Sequence, residues 1–206
     1  MAKVEKIKVA KSGVIRLDAS PMLTGRIAFG CVVDSQLRQI YVAGGITAYK
    51  MTSELCEVYH ESSNKWTALP PLTNAKQSVS LEILNQKYLY CFGGLSPPET
   101  VNEHPSSLDD IEMLDLTKAE SKWELLKVKI PIPSYDLGVF QISPTSVLVC
   151  GGFNDKYGLS KLAFVMSLSH EDLASTLALN SSAASLFTAD YFHVTGTKAV
   201  MNDRSD

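Results

Sequence analysis

Three short hydrophobic runs in this chain each end in a pair of glycines, and the runs recur at intervals of about 50 residues. The runs are residues 40–45 (IYVAGG), 89–94 (LYCFGG) and 147–152 (VLVCGG). Apolar stretches of this length, rich in β-branched and aromatic residues and bounded by glycine, predict buried β-strands. Repetition at this interval is typical of a β-propeller, in which each repeat forms one four-stranded blade.

A second element repeats in phase with the glycine pairs. Residues 58–60 (VYH) are followed by Trp66, and residues 113–115 (MLD) are followed by Trp123. A tryptophan on a later strand supplies a wedge of apolar surface between neighbouring sheets, and its ring N–H needs one acceptor. We therefore expect both tryptophans to be structural rather than platforms for a ligand.

The combined pattern resembles the kelch repeat. Residues 20–26 (SPMLTGR) resemble the kelch turn that leads into an inner strand, and residues 70–76 (PPLTNAK) are their counterpart one repeat later. Arg26 holds the arginine that is usual in the family, and Lys76 replaces it in the second copy. The third copy departs, since no tryptophan follows Gly152. The resemblance implies an all-β fold, a β-propeller of four-stranded antiparallel kelch-type blades.

The pattern predicts an inner, a second, a third and an outer strand in each repeat. The predicted strands are 26–34, 38–44, 54–60 and 64–69, then 76–84, 87–93, 110–116 and 121–128, then 135–142, 145–151 and 160–167. For 173–179, two interpretations stand, an outer strand or a helix capped at Ser169.

The two ends of the chain supply about one further blade of strands. Residues 4–10 and 14–18 align with third and outer strands, whereas 183–188 and 191–196 resemble inner and second strands. Four blades then form either a closed ring, with both chain ends in one blade, or an incomplete arc that is a fragment or is completed by another chain. We predict one domain over 1–206, with clear repeats at 20–152, degenerate repeats at 153–206, and strands within 4–18 completing the last blade.

Composition and charge narrow the classes of function. The formal net charge is -3, which disfavours nucleic acid because phosphate binding needs a basic face. No apolar run is long enough to span a membrane, and none follows Met1 as in a signal peptide. The cysteines, expected to be buried free thiols, lack metal-binding spacing. We therefore expect a cytoplasmic protein that binds neither nucleic acid nor membrane. The four cysteines are Cys31, Cys56, Cys91 and Cys150.

Motifs for catalysis and for cofactors are absent from the sequence. The four histidines are scattered, no G-x-S-x-G is present, and the glycine pairs lack the spacing of phosphate-binding loops. Asp109, Asp110 and Glu112 form an acidic cluster that we interpret as solvated loop charge. We therefore expect no enzyme activity, no cofactor and no metal.

Two classes of function follow from the resemblance. The first, which we favour, is a non-catalytic protein–protein interaction module or scaffold. The alternative is a sugar-modifying enzyme of the kelch-like propeller type, which needs polar side chains converging at the axis, or a substrate-receptor piece of a ubiquitin ligase, which rests on fold analogy alone.

The candidate binding surface is the set of loops that connect second to third strands, at 46–53, 95–109 and 153–160. Equivalent connections in each blade emerge at the same end of a propeller, and long loops in compact domains are often functional. The middle loop is polar and rich in proline, and the flanking loops offer aromatic and cationic side chains. The predicted partner-binding residues are Tyr49, Lys50, Pro97, Pro98, Glu99, His104 and Tyr157.

Overall fold

The computed structural model describes residues 4–11, 13–98, 100, 103–168 and 191–192, and all regular structure in them is β. Short apolar or alternating runs of about five residues, separated by turns that contain residues such as glycine and asparagine, account for the short strands. The strands are β1 (Val4–Ala10), β2 (Gly13–Ala19), β3 (Arg26–Ile27), β4 (Gly30–Asp34), β5 (Gln39–Ala43), β6 (Ile46–Thr47), β7 (Cys56–His60), β8 (Lys65–Leu69), β9 (Ser80–Leu84), β10 (Tyr88–Phe92), β11 (Ile111–Asp115), β12 (Glu124–Leu125), β13 (Gly138–Ser143), β14 (Ser146–Cys150), β15 (Phe153–Asn154), β16 (Gly158–Leu159), β17 (Ala163–Ser167) and β18 (Tyr191–Phe192).

Three four-stranded antiparallel sheets form the body of the structure, and we call them blades 1, 2 and 3. Blade 1 has the strand order β4-β5-β7-β8, blade 2 has β9-β10-β11-β12 and blade 3 has β13-β14-β17-β18. The short pairs β3-β6 and β15-β16 extend the loops that follow the glycine pairs. Apart from the short pairs in the loops, strands that are neighbours in a blade follow one another along the chain, as the repeat predicts.

The inner strands are shorter than the sequence predicts, for one physical reason. Ala28, Ser78 and Asp136 all have a positive φ, of 51°, 52° and 52°. A left-handed residue breaks the extended backbone, so each predicted inner strand is divided just before β4, β9 or β13. The three residues stand at the same phase of the repeat, and no glycine marks the position in the sequence.

The chain ends differ in part from the expectation. β1 and β2 pair antiparallel as predicted, and Val4 and Ala19 pack against the Val42, Tyr59 and Trp66 side of blade 1. β18, however, pairs with β17 and forms the fourth strand of blade 3, so the assignment of 191–192 to the second strand of a further blade was wrong. The predicted segments 173–179 and 183–188 lie outside the described residues.

Apolar side chains fill the spaces between consecutive blades. Between blades 1 and 2 lie Tyr41, Val58, Leu89 and Leu114 among others. Between blades 2 and 3 lie a further set, which includes Tyr90, Phe92, Ile111, Met113, Val139, Val147, Val149, Phe164 and Met166. Burial on both faces explains why β5 and β10 are nearly continuous apolar runs.

Both tryptophans are structural, as expected. Trp66 donates its ring N–H to Ser20 O at 2.8 Å, and Trp123 donates to Pro70 O at 2.9 Å. Both rings are buried. Each indole therefore ties the outer part of a blade to the turn that precedes the repeat, and it does so with its single donor satisfied.

The first glycine of each pair lies where the next blade approaches. A Cβ at Gly44 would collide with the Lys76 carbonyl oxygen, and a Cβ at Gly93 would collide with that of Ser134. Both glycines also have a positive φ, a conformation that glycine adopts at little cost. Gly151 shares the positive φ, but among the described residues no atom lies within 4 Å of the place that a Cβ would take there.

A buried ion pair holds the kelch turn to the third strand in blades 1 and 2. Arg26 pairs with Glu57 at 2.5 Å and also donates to Gly44 O at 2.9 Å and Leu55 O at 2.5 Å. In the next repeat, Lys76 Nζ lies 2.5 Å from Glu112 Oε1, and both side chains are fully buried. Burial of a charge is tolerated only with a partner, which explains why cation and carboxylate occur together.

The third repeat lacks both members of this pair. Ser134 stands at the position that Lys76 has one repeat earlier. The carbonyl of Ser134 accepts a hydrogen bond from Gly94 N, and the carbonyl of Lys76 accepts the equivalent bond from Gly45 N. Phe164 stands at the position of Glu112. Each of the two is the cross-strand partner of the residue two places before the glycine pair, which is Val149 for Phe164 and Cys91 for Glu112. Because the cation and the carboxylate are both replaced, neither charge of the pair is left without its partner at this position of blade 3.

The cysteines are free, but they are not uniformly buried. Cys56 and Cys91 are buried, Cys150 is half-buried and Cys31 is exposed, so the expectation of burial was wrong for Cys31. Burial raises the pKa of Cys56 to about 12 and also raises the pKa of Cys91. In the part of the chain that the structure describes, no helix is long and apolar enough to cross a membrane.

Candidate protein-interaction surface

The three loops that follow the glycine pairs emerge at the same end of the blades. Each begins where the second strand of its blade ends, after β5, β10 and β14. Each then folds back on the segment before its own inner strand, through the β3-β6 pair, the Gln77–Leu95 bridge and the Tyr135–Phe153 bridge. We call this end, with residues 46–53, 95–109 and 153–160, the loop-end surface.

A chain of backbone hydrogen bonds runs across the three blades at this end. Ser78 N donates to Ala28 O at 2.7 Å, and Asp136 N donates to Ser78 O at 3.0 Å. These are the residues with positive φ that divide the inner strands. The left-handed turns at Ser78 and Asp136 therefore direct the backbone N–H at the preceding blade, which links the bases of the three loops.

The second and third loops are joined directly. Ser107 N donates to Asp155 Oδ2 at 2.5 Å, and Asp155 N donates to Ser107 Oγ at 3.1 Å. The first loop is linked to the second through the backbone of the kelch turn, because Lys76 N donates to Ser53 O and Gln77 N to Leu95 O. The loop-end surface is thus one connected structure rather than three independent loops.

Asn154 orders the third loop. Its Oδ1 accepts from Lys156 N and Tyr157 N, each at 2.9 Å, and its Nδ2 donates to Pro133 O at 2.6 Å. The side chain is buried, so it holds the turn while Tyr157 projects outward. Lys156 Nζ lies 5.2 Å from the centre of the Tyr157 ring, a cation–π distance.

Negative charge gathers near the base of this loop. Tyr135 packs against Phe153 with ring centroids 5.3 Å apart. The pKa of Tyr135 is raised above its ordinary value, first by desolvation and then by the carboxylates of Asp155 and Asp136. The third loop therefore carries a lysine beside the exposed Tyr157 and two carboxylates near Tyr135.

Six of the seven predicted binding residues are exposed to solvent, and the seventh lies outside the described residues. Tyr49 is 87% exposed and Tyr157 is 70% exposed. Glu99 lies outside the described residues. Four further predicted residues are also exposed: Lys50, Pro97, Pro98 and His104.

Three exposed apolar residues of the same surface escaped the sequence analysis. Met51 lies in the first loop, Ile27 of β3 pairs with Ile46 at the start of that loop, and Leu159 of β16 is 82% exposed. The signal that marks them is their position, since all three lie on or beside the short pairs β3-β6 and β15-β16, which only the structure shows. Together with Tyr49 and Tyr157, they give the loop-end surface five large apolar side chains in the solvent.

The acidic cluster is only partly the solvated charge that we expected. Asp109 and Asp110 both pair with Lys129, but Glu112 is fully buried against Lys76. Among the described residues, no three His, Cys, Asp or Glu side chains are grouped so that they could hold a metal ion.

Comparisons with known proteins agree with the repeat pattern. No family model matches the chain. Mouse Kelch-like protein 40 is 36% identical over 109 residues, which are 52% of this chain and 17% of that protein. The solved structure of YjhT superposes with a TM-score of 0.64 at 13% identity, over 82% of this chain and 56% of that one. The chain thus corresponds to a small part of the first relative and to about half of the second.

The fold that these findings define is an all-β propeller of four-stranded antiparallel blades. Its repeats, with the paired glycines, the buried tryptophans and the basic residue of the turn, are those of the kelch type. The chain thus has the β-propeller fold, and its repeat pattern is similar to that of the kelch type.

Proposed function

We propose that this chain is a non-catalytic protein-interaction module that binds a protein partner through its loop-end surface. The observation that carries the proposal is the exposure of Tyr49, Tyr157 and Leu159 on loops that the backbone holds in one connected structure. Tyrosine and large apolar side chains are the residue types that anchor protein interfaces. Pre-ordered loops also lower the entropic cost of binding.

The charges beside these anchors suit a protein partner of mixed charge. Lys50 and Lys156 are exposed, and the exposed Asp155 and Asp136 interact electrostatically with Tyr135 at the base of the third loop. Neither sign dominates, in keeping with a net charge of -3 for the chain. Rim charges of both signs favour the orientation of a partner more than they add affinity.

Substitution of the anchors tests the proposal. The purified chain is immobilised, and the proteins that it captures from a cell extract are quantified for the parent and for the Tyr157→Ala/Leu159→Ser variant. Leu125→Ser is the matched control, because Leu125 is 51% exposed on β12 of blade 2 and away from the loops. We expect specific proteins to be lost with the loop variant and retained with the control, at equal melting temperature.

A loop replacement provides the second arm. Ser96 N donates to Ser106 O at 3.0 Å, and Leu95 bridges Ser107, so residues 97–105 can be exchanged for a short Gly-Ser turn without opening the base of the loop. Lost capture with unchanged melting places the partner on the middle loop. If the captured proteins are unchanged both in the Tyr157→Ala/Leu159→Ser variant and in the loop replacement, the proposal that the loop-end surface binds the partner is wrong.

A further inference from the structure

Ser107 of the middle loop joins that loop to the third loop. Its backbone N–H donates to Asp155 Oδ2 at 2.5 Å, and its Oγ accepts from Asp155 N at 3.1 Å. Both bonds lie at the surface, and the Ser107 side chain is half-buried. Because Oγ is the acceptor in the second bond, neither bond uses the hydroxyl proton. A chemical change at this one oxygen therefore acts on the link between two loops.

The sequence that follows Ser107 is acidic. Asp109 and Asp110 stand two and three places after it. Protein kinases with a basic substrate groove select serines that are followed by acidic residues, because carboxylates pair with lysine and arginine. Three further hydroxyl residues of the middle loop have an acidic residue three places after them: Ser96, Thr100 and Ser106. Ser107 is the one of these four with acidic residues at both the second and the third place.

The two carboxylates are accessible to a kinase. The side chains of Asp109 and Asp110 are 34% and 18% exposed, and that of Lys129, which pairs with both, is 50% exposed. Surface ion pairs of this kind contribute little free energy, so basic side chains of a kinase can replace Lys129. Ser106, which precedes Ser107, is exposed as well. The segment thus presents a hydroxyl and its acidic recognition residues together.

Negative charge already surrounds the link between the loops. Asp155 contributes its carboxylate to the link itself. Desolvation and, after it, the carboxylates of Asp155 and Asp136 raise the pKa of Tyr135, which places both carboxylates at the base of the third loop. A phosphate adds about −1.5 to −2 charge near neutral pH. On Ser107 Oγ it faces the Asp155 carboxylate, so like-charge repulsion opposes both hydrogen bonds.

We propose that Ser107 is phosphorylated by a protein kinase that selects acidic residues after the serine, and that the phosphate separates the middle loop from the third loop. In the transfer, Ser107 Oγ attacks the γ-phosphorus of a nucleoside triphosphate that the kinase holds. The bond from this phosphorus to the bridging oxygen breaks, the nucleoside diphosphate leaves, and a base of the kinase takes the hydroxyl proton. Control of partner binding by this phosphate rests on the proposed function, whereas the modification and the separation of the loops do not.

Phosphate transfer to the folded, purified chain tests the site. The chain is incubated with ATP and a purified kinase of this specificity, and the modified residue is identified by mass spectrometry of its peptides. We expect phosphate on Ser107, its loss in Ser107→Ala, and transfer about tenfold slower in Asp110→Asn, since one charge-assisted contact with the kinase is lost. Ser96→Ala is the matched control in the same loop and should leave the phosphate on Ser107.

Folding of each variant is checked by its melting temperature. Asp109→Asn provides a second substitution of the acidic residues should Asp110→Asn not fold. The site is wrong if the kinase leaves Ser107 unmodified in the folded chain. It is also wrong if neither Asp110→Asn nor Asp109→Asn slows the transfer.

Hydrogen exchange of the backbone amides tests the separation of the loops. We expect the amides of Ser107 and Asp155 to exchange faster in the phosphorylated chain, while those of β14 (Ser146–Cys150) stay unchanged. Unphosphorylated Ser107→Ala loses the Oγ acceptor without gaining charge, so its increase should be smaller. Asp155→Asn keeps an oxygen that can accept from Ser107 N, and phosphorylation of this variant should change exchange less. Unchanged exchange in the phosphorylated parent, or an equal increase in Asp155→Asn, would contradict the separation by repulsion.

These two measurements use the chain alone, so their outcome is independent of the proposed function. Capture of proteins from a cell extract is then compared for the phosphorylated and the unmodified chain, and we expect phosphorylation to reduce it. Unchanged capture would overturn the control of binding by Ser107. The Tyr157→Ala/Leu159→Ser variant remains the separate test of the loop-end surface itself.

Discussion

Removal of the buried cation of blade 2 is the sharpest test of how the kelch turn is held. Lys76→Met keeps the length of the side chain but leaves the carboxylate of Glu112 fully buried. Its remaining hydrogen bond is the one that Oε2 accepts from Thr73 N at 2.8 Å. Breaking a buried pair by removal of one partner costs about 3 to 5 kcal/mol, a large part of the 5 to 15 kcal/mol by which domains are typically stable.

The double variant Lys76→Met/Glu112→Leu separates loss of the pair from loss of one partner. Well-packed apolar residues of similar volume often replace a buried pair at no net cost, so we expect the double variant to regain most of the stability. Blade 3 supports this expectation, since Ser134 and Phe164 stand at the corresponding positions. The coupling energy of the double-mutant cycle is then about 2 kcal/mol or more.

Equilibrium unfolding in urea, followed by the fluorescence of the buried tryptophans, measures these differences. The Arg26→Lys variant is a useful comparison, because Arg26 also donates to Gly44 O and Leu55 O. Lysine has three donors on one atom and cannot reproduce this planar arrangement, so we expect a loss of about 1 to 3 kcal/mol. If Lys76→Met costs less than about 1 kcal/mol, or if the double variant is as unstable as the single one, the role assigned to the pair is wrong.

Three further predictions concern the core of the blades. Trp123→Ala should cost about 3 to 5 kcal/mol in urea unfolding, because it empties a buried site and leaves Pro70 O without its donor; a variant of unchanged stability would contradict this. Gly93→Val should lower the melting temperature more than Gly151→Val, since only Gly93 faces a carbonyl of the next blade among the described residues, and equal losses would argue against the steric role. With a thiol reagent near pH 8, exposed Cys31 should react fast, whereas Cys56, whose pKa burial raises to about 12, should react only after unfolding; rapid reaction of both would refute the assigned burial.

The sequence alone was sufficient for the blade as a unit. The strands and the glycine pairs follow from short apolar runs at a fixed interval, and the structural role of Trp66 and Trp123 follows from a large apolar side chain at a matching phase. These features are local to one repeat, so a pattern within about 50 residues contains them. The loop positions of Tyr49 and Tyr157 were predictable for the same reason.

Other features depend on contacts between repeats, and only the tertiary structure decided them. Ser78 and Asp136 have a positive φ that goes with a backbone hydrogen bond to the preceding blade, and neither the positive φ of Ser78 nor that of Ala28 is predicted by the local propensity of serine or alanine. The pairing of β18 with β17 was mispredicted because one glycine and a few apolar residues fit more than one strand position. Strand partners are chosen by burial against a neighbouring sheet, and that neighbour is defined only once the chain has folded.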